Sequence, residues 1–303
     1  MTPAAGPIPG ELTVREVHRV EELGDIDRLF GRIWQYPPGE GPIGVELMRA
    51  LSHAGNYVAG AYRGTRLVGA SVGFLSAPPG LALHSHVTGA DQGRGIGFAL
   101  KQHQRDWALA RGLDRITWTF DPLVRRNAYF NLTKLGATLE EYHSGFYGRM
   151  RDAINGGDDS DRVLARWDLH APHVSAAASG VRTTGPGVSR HGVSGHGVAV
   201  AEAPVSVLAE GRDGRPLLLS TDSSTVLVEL PPDIEALRRT DPAAATSWRL
   251  AVREVLGGLL ADGARVTGLH GRTGYVVDRA PLRPASASFS RPEHLPPMES
   301  QNR

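Results

Sequence analysis

Residues 81–112 read LALHSHVTGADQGRGIGFALKQHQRDWALARG, and this stretch decides the fold. It opens with alternating apolar and polar residues, which predict a strand over 81–88. The glycine-rich loop Gln92–Gly97 follows, and apolar residues at helical spacing then predict a helix that ends at Gly112. A strand that runs through such a turn into a helix directs unpaired backbone N–H groups toward one point. That point favours an anion.

Two common phosphate-binding loops do not match these glycines. The dinucleotide fingerprint G-x-G-x-x-G requires glycine where Phe98 stands, and the P-loop requires a Gly-Lys-Ser/Thr sequence that is absent here. Arg94 adds a cation to the turn, and the glycines let a ligand approach the backbone closely. By itself the loop therefore indicates either an anion-binding turn or a turn that only caps a packed helix.

Outward from the loop, strands and helices alternate. The elements predicted before the loop are a strand over 12–20, helices over 25–34 and 45–52, and strands over 57–62, 66–75 and 81–88. The elements predicted after the loop helix are a strand around 116–120, a helix over 127–135, and strand-like segments near 137–149 and 163–169. We therefore predict an α/β (α+β) protein with a mixed central sheet and flanking helices.

The second half predicts a smaller unit. Residues 170–196 contain few large apolar side chains, which predicts a flexible linker. Beyond it, strand candidates at 217–219 and 226–230, a helix over 244–260 and a hairpin at 266–277 predict a C-terminal α/β unit. The predicted organisation is a disordered 1–10, a first domain over 11–169, a linker over 170–196, the C-terminal unit over 197–280 and a disordered tail over 281–303.

The composition limits the class of partner. The 303 residues are 41% hydrophobic, so the chain can form one large domain or two smaller ones. With 33 basic and 32 acidic residues the formal net charge is +1, which argues against nucleic acid or an anionic membrane as partner. The absence of cysteine excludes disulfides, zinc thiolate sites and a cysteine nucleophile. We expect a small-molecule partner and, since no signal peptide or long apolar run stands out, a cytoplasmic protein.

The pattern over about residues 12–150 resembles the GNAT superfamily of N-acetyltransferases. Three strands precede a fourth strand, which leads into Gln/Arg-x-x-Gly-x-Gly/Ala, a helix, a strand, and an Asn-led helix that ends in Lys134-Leu135-Gly136. The resemblance implies acetyl-CoA or another acyl-CoA, such as succinyl-CoA, as donor, with no metal. It implies acyl-CoA contacts from Val87, Gly89, Gln92, Gly93, Arg94, Gly95, Ile96, Gly97 and Asn127.

Further motifs resemble a GNAT subgroup of predicted acetyl- and succinyltransferases found beside N-acylamino acid racemases. They are Asn127-Ala128, Asn131-Leu132, Leu135-Gly136-Ala137, Tyr147-Gly148, Asp161-Arg162, Arg166-Trp167, Pro232-Asp233-Ile234 and Trp248-Arg249. The C-terminal unit could be a degenerate half of the GNAT fold. Because it lacks a second glycine loop, we expect no second CoA site there. It could instead close over the acceptor pocket or form a homodimer contact.

The resemblance does not supply a general acid. Leu132 stands where many GNAT enzymes carry a tyrosine that protonates the leaving thiolate. Tyr129, one helical turn earlier, is a candidate acid or a core side chain. For the general base, His86 is the better candidate of two histidines on the fourth strand, and Asp121 at the end of the fifth strand is another. Structural roles for both His84 and His86 are the favoured alternative, and a metal half-site without further ligands is a third.

The resemblance also implies an acceptor pocket near the segment that follows the first helix. Its candidate residues are Trp34, Tyr36, His84 and Trp118, and Arg125 or Arg126 could contact a carboxylate. The sequence predicts an enzyme that transfers an acyl group from CoA to the amine of a small molecule, which could be an amino acid, by direct attack in a ternary complex. The alternative is a catalytically weak CoA-binding module with a sensing or structural role. Acetylation of proteins is a third, weaker hypothesis.

Overall fold

The computed structural model describes residues 11–36, 40–91, 93, 95–148, 158–178 and 203–279. The segments predicted to be disordered, 1–10 and 281–303, lie outside the described residues, as do Gln92, Arg94 and residues 179–196 of the predicted linker. Within the described ranges, no helix is long and apolar enough to cross a membrane.

The first half of the chain forms a seven-stranded mixed sheet. Its strands are β1 (Leu12–Glu16), β2 (Tyr57–Arg63), β3 (Arg66–Leu75), β4 (Ala82–Ala90), β5 (Arg115–Phe120), β6 (Thr138–His143) and β7 (Arg162–Asp168). The spatial order is β1-β2-β3-β4-β5-β7-β6. Every neighbouring pair is antiparallel except β4 and β5, which run parallel. The single parallel pair lies at the middle of the sheet, and the glycine loop begins just beyond β4.

Helices cover both faces of this sheet. They are α1 (Val20–Trp34), α2 (Val45–His53), α3 (Ile96–Leu109) and α4 (Arg125–Ala128), which continues as a π-helical segment over Tyr129–Lys134. Val58 on β2 packs into the core of α1 and α2, whereas its neighbour Tyr57 faces α3 and stacks edge-on against Trp107. Successive residues of a strand point to opposite faces, so one strand supplies both cores.

Two element boundaries differ from the prediction at the start of the chain. The predicted strand over 12–20 ends at Glu16, and α1 begins at Val20 rather than at 25. Leu23 is fully buried three residues before the buried Ile26, so it extends the apolar stripe of α1 by one turn toward the N-terminus. The first helical turn therefore takes Val20, which the alternating pattern assigns to the strand.

The C-terminal unit contains a five-stranded sheet. Its strands are β8 (Val205–Glu210), β9 (Pro216–Leu218), β10 (Thr225–Glu229), β11 (Arg265–His270) and β12 (Gly274–Asp278), in the order β11-β12-β10-β8-β9. Its helices are α6 (Ile234–Thr240), α7 (Pro242–Val252), a π-helical segment over Arg253–Gly257, and α8 (Gly258–Ala261). The predicted fold class, a mixed α/β sheet with flanking helices and a smaller α/β unit, is confirmed.

The prediction omits two elements of this unit, β8 and α6. Strand β8 pairs in parallel with β10 and, across a turn at 211–215, antiparallel with β9. Helix α6 is only seven residues long. It is capped by the Asp233 carboxylate, which accepts from the Ala236 N–H at 2.9 Å.

The two halves share one hydrophobic core. Trp118 and Trp167 of the first sheet belong to the same buried cluster as Trp248 and Tyr275 of the C-terminal unit. The Tyr275 hydroxyl also donates to the Pro122 carbonyl at 2.8 Å. Helix α5 (Pro172–Ala178), at the start of the predicted linker, packs against this cluster through buried Val174. The C-terminal unit is therefore packed onto the first half, close to the end of β5.

Candidate active site

Strands β4 and β5 separate after three pairs of residues. They pair from Ala82 with Arg115 to His84 with Thr117, and then diverge. The gap between residues 85–90 of β4 and 118–120 of β5 is called the wedge below. Strands that separate leave backbone N–H and C=O groups along their facing edges without ladder partners, so these groups can bind a ligand. A cavity of about 670 Å³ opens at the wedge.

A β-bulge in β4 lies beside the wedge. Val87 opposes Val72 and Ser85 opposes Gly73, so His86 is the extra residue on β4. The bulge changes the alternation of side chains: Val87 packs toward α1 and α2, whereas Ser85 contacts α3. A bulge leaves backbone groups without ladder partners. It therefore adds polar groups near the vertex of the wedge, the point beyond His84 and Thr117 where β4 and β5 separate.

The wedge also borders the N-terminus of α3. Gly95 is the N-cap residue with φ +73°, no side chain caps the helix, and its first turn carries no acidic residue. Gly93 also has positive φ, +87°. A Cβ added at Gly97 would meet nothing within 4 Å, so the first turn is open to a ligand. Its free N–H groups and the helix dipole favour an anion at this position.

The predicted acyl-CoA residues divide into two groups. Val87, Gly97 and Asn127 line the cavity. Ile96 is instead a core side chain packed with Leu100, and a Cβ at Gly89 would lie 2.7 Å from the Trp34 ring. Gly89 is thus needed for the packing of α1 against β4. Sequence reasoning missed Phe130 and Asn131, which the helix after β5 also presents to the cavity.

Asp121 lines the cavity but is held in a buried ion-pair cluster. Its carboxylate accepts from Arg249 at 2.8 and 2.9 Å and from Arg238 at 2.6 Å. Burial alone would raise its pKa, but the two guanidinium groups outweigh burial and hold the pKa well below its ordinary value. A carboxylate so stabilised in its charged form is a poor proton acceptor. This environment disfavours the general-base role predicted for Asp121.

The two histidines of β4 have different surroundings. His84 faces Thr117, with 3.1 Å between Nδ1 and Oγ1, and is not among the cavity-lining residues of the described chain. Burial, together with the nearby His86 and Lys101 side chains, lowers the pKa of His84 to about 4. His86 lines the cavity, and its Nε2 lies 3.4 Å from the Pro42 carbonyl oxygen. Because a carbonyl only accepts, this contact places the proton on Nε2 and leaves Nδ1 basic.

The neutral, half-buried His84 predicts an acid-sensitive fold. The unfolded chain takes up a proton at this histidine near pH 6.5, whereas the native protein does so only near pH 4. The contribution of His84 to stability is thus fully present above pH 6.5 and is lost as pH falls toward 4, by at most about 1.4 kcal/mol per pH unit. We expect His84→Asn to flatten the pH dependence of the free energy of unfolding, measured with urea at pH 7.5 and 4.5. Exposed His53→Asn is the control, and an equal slope in both variants would contradict the assignment.

Tyr129, the candidate general acid, does not line the cavity at the wedge. Its ring packs against the core, and the guanidinium of Arg272 lies 4.6 Å from the ring centroid. Leu132 is buried in the same core. A different tyrosine, Tyr147, lines the cavity, and its hydroxyl lies 3.5 Å from Oγ1 of Thr119 on β5. Tyr147 is therefore a phenol in contact with a β5 residue of the wedge.

The cavity is lined by both halves of the chain. Trp34, Tyr36 and Trp118, three of the candidate acceptor residues, line the cavity. Glu235 and Arg238, both on α6, also line it, so the C-terminal unit forms part of the wall. These two residues were missed, because nothing in the sequence relates α6 to β5.

The two arginines considered for a substrate carboxylate already have partners. Arg125 donates to the Leu230 carbonyl. Arg126 makes a bidentate pair with Glu235, at 2.7 and 2.6 Å. A bidentate guanidinium–carboxylate pair is a strong, directional interaction. Both side chains therefore contact the C-terminal unit.

Lys101 is a further residue that sequence reasoning missed. It lies on α3, is only 4% exposed and lines the cavity. Its Nζ donates to Ser85 Oγ at 2.9 Å and to Gln104 Oε1 at 3.0 Å, and lies 3.9 Å from the centroid of the Trp118 ring. The signal available in the sequence was a lysine on the apolar side of a predicted helix, in a chain with only two lysines.

Comparisons with known proteins give structural matches only. No protein-family model and no curated protein matches the sequence. Among solved structures, the chain is similar to an aminoglycoside 6'-acetyltransferase type Ii, with 16% identity, 52% of this chain and 98% of that chain covered, and a TM-score of 0.43. For an N-acetyltransferase from Staphylococcus aureus Mu50 the identity is 14%, the coverage 52% and 99%, and the TM-score 0.43.

A third match is Arabidopsis thaliana Naa50 in complex with a bisubstrate analogue, CoA-Ac-MVNAL, with 17% identity, coverage of 51% and 97%, and a TM-score of 0.41. Similarity at this level carries no conclusion about what the present chain does.

Proposed function

We propose that this protein is an acyl-CoA-dependent N-acyltransferase that moves an acetyl or succinyl group from CoA to the amine of a small molecule. The observation that carries the proposal is the wedge between β4 and β5, which borders the uncapped N-terminus of α3. An extended thioester arm needs an unpaired strand edge, and a pyrophosphate needs converging N–H groups. The chain places both around one cavity.

In the proposed reaction the amine attacks the thioester carbon in a ternary complex. The C–N bond forms, the C–S bond breaks, and unpaired backbone N–H groups of β4 stabilise the charge on the carbonyl oxygen. His86, with Nδ1 basic, accepts the proton that leaves the amine. The departing thiolate takes a proton from Tyr147 or from water. Asp121 acts as a structural anchor beside the acceptor rather than as the base.

The experiment is an assay of thiol release from acetyl-CoA and succinyl-CoA with a panel of small amines, amino acids and short peptides. We expect turnover with a small amine. CoA binding without turnover on any acceptor would instead indicate a binding module. Turnover only on peptides would favour acetylation of proteins.

His86→Gln tests the proposed base within the same assay. We expect kcat to fall by about 10²- to 10⁴-fold while the affinity for acetyl-CoA is unchanged, because general bases contribute factors of this size. The fall should be smaller at high pH, where more of the amine is already neutral. His53→Gln, on the exposed end of α2, is the control. A variant at His86 that keeps wild-type kcat would remove this residue from the mechanism.

A further inference from the structure

Lys101 lies at the vertex of the wedge. Pairing of β4 with β5 ends at His84 and Thr117, so Ser85 and Trp118 are the first residues beyond the last pair. The Nζ of Lys101 contacts both of them. Gly97, at the open first turn of α3, precedes Lys101 by four residues, or about 6 Å along the helix. One face of α3 thus runs from the proposed pyrophosphate site to the vertex.

The charge of Lys101 is not balanced by an acid. Its partners are a hydroxyl, a side-chain amide and an aromatic face, and no carboxylate of the described residues forms an ion pair with it. A buried ammonium without a counter-ion is unfavourable, so burial lowers the pKa of Lys101 to about 7. Lysine is seldom buried without a paired charge. An anionic ligand group in the cavity would supply the missing partner.

We propose that Lys101 lies at the closed end of the acyl subsite and selects donors whose acyl group ends in a carboxylate. The inference rests on the proposed function, since it requires a thioester arm in the wedge. With the pyrophosphate at the α3 N-terminus and the thioester at the β4 bulge, the acyl chain points toward the vertex. A carboxylate there receives hydrogen bonds from Nζ, which also favours the charged form of the lysine.

Other features of the cavity agree with this position for the anion. Arg125 and Arg126, the cations first considered for a donor carboxylate, are held by Leu230 and Glu235. Ser85, whose Oγ accepts from Lys101, can donate its own proton to a carboxylate oxygen. Gln104 fixes the lysine from the other side and is itself held by Ser71 at 3.3 Å. The ammonium is therefore positioned by its neighbours before any ligand binds.

The test measures the affinities of butyryl-CoA and succinyl-CoA by calorimetry. The two acyl chains have the same number of carbons and differ in the terminal carboxylate. We expect the wild-type protein to bind succinyl-CoA about 10- to 100-fold more tightly, the range for hydrogen bonds to a charged group. Lys101→Met should remove this preference and leave the affinity for CoA itself unchanged. Lys134→Met, at an exposed position, should keep it.

Each outcome bears on one of the two proposals. Equal affinities for the two donors in the wild-type protein would overturn the role of Lys101, and this measurement requires no variant. A preference that survives in Lys101→Met would do the same. If the wild-type protein bound neither CoA nor any acyl-CoA, the proposed function itself would fail. Lys101→Gln, which retains a donor without the charge, serves if Lys101→Met does not fold.

Discussion

Gly97→Glu is expected to weaken acyl-CoA binding by about 100-fold or more without unfolding the protein. The position lies in the first turn of α3, and a side chain there would meet no other atom within 4 Å. Its carboxylate would occupy the positive end of the helix, where we place the pyrophosphate. Glutamate is a better helix former than glycine, so the free energy of unfolding should stay the same or rise by up to about 1 kcal/mol.

Gly258→Glu is the matched control for this substitution. Gly258 begins α8, has ordinary helical φ, −60°, and also has nothing within 4 Å of an added Cβ. It is not among the residues that line the cavity. Calorimetric titration with CoA should therefore separate the two variants, while urea unfolding should not. Wild-type CoA affinity in Gly97→Glu would exclude the α3 N-terminus as the phosphate site.

Asp121→Ala is expected to destabilise the fold by about 3–5 kcal/mol, the usual effect of removing one partner from a buried ion pair. Arg238 and Arg249 are 7% and 1% exposed, so neither can regain full hydration when the carboxylate is lost. Asp158 contacts both guanidinium groups, at 3.1 and 3.2 Å, but one carboxylate cannot balance two buried cations. Urea unfolding at pH 7 measures the change.

An exposed ion pair provides the comparison. Asp25 and Arg28 pair at 2.5 Å on α1, with 53% and 67% of their side chains exposed. Asp25→Ala should change stability by no more than about 1 kcal/mol, because exposed pairs are screened by solvent. If the two aspartate variants lost the same stability, the cluster at Asp121 would not hold the C-terminal unit in place.

The pKa of Asp121 also sets the direction of its pH dependence. Because the folded-state pKa is depressed, its contribution is fully present above the unfolded value of about 4. It is lost only as pH falls through that value and lower. In wild-type protein, this loss of stability begins where the loss from His84 ends.

The elements near the glycine loop could be predicted because each depends on nearby residues. The strand over 66–75 has the bounds that alternation predicts, and Gly112 and Gly136, with φ of +71° and +74°, follow the helices they were expected to end. These signals are local: a period of two, a helical stripe, or a glycine in the left-handed region. The bounds of these elements therefore depend little on long-range packing.

The parts of the site that were missed depend on distant residues. Asp121 directly follows a strand, a position that suggested a base, yet its partners Arg238 and Arg249 are 117 and 128 residues away. Lys101 belongs to the predicted helix, but its place at the vertex depends on where β4 and β5 stop pairing. Pairing between distant residues leaves no periodic signal in one sequence. Asp161 and Arg249 were named only as motif residues of a similar subgroup, with no predicted partner. In the structure Asp161 pairs with Arg253, and Arg249 pairs with Asp121.

The shared core has a consequence for dissecting the protein. A fragment that ends before residue 203 would lose Trp248 and Tyr275 from the cluster around Trp118, and would lose both arginines that neutralise Asp121. Its newly exposed apolar face would promote aggregation, and the part of the cavity wall formed by α6 would be missing. Truncation at the apparent domain boundary would therefore not isolate an independently folded unit, and the two halves have to be expressed together.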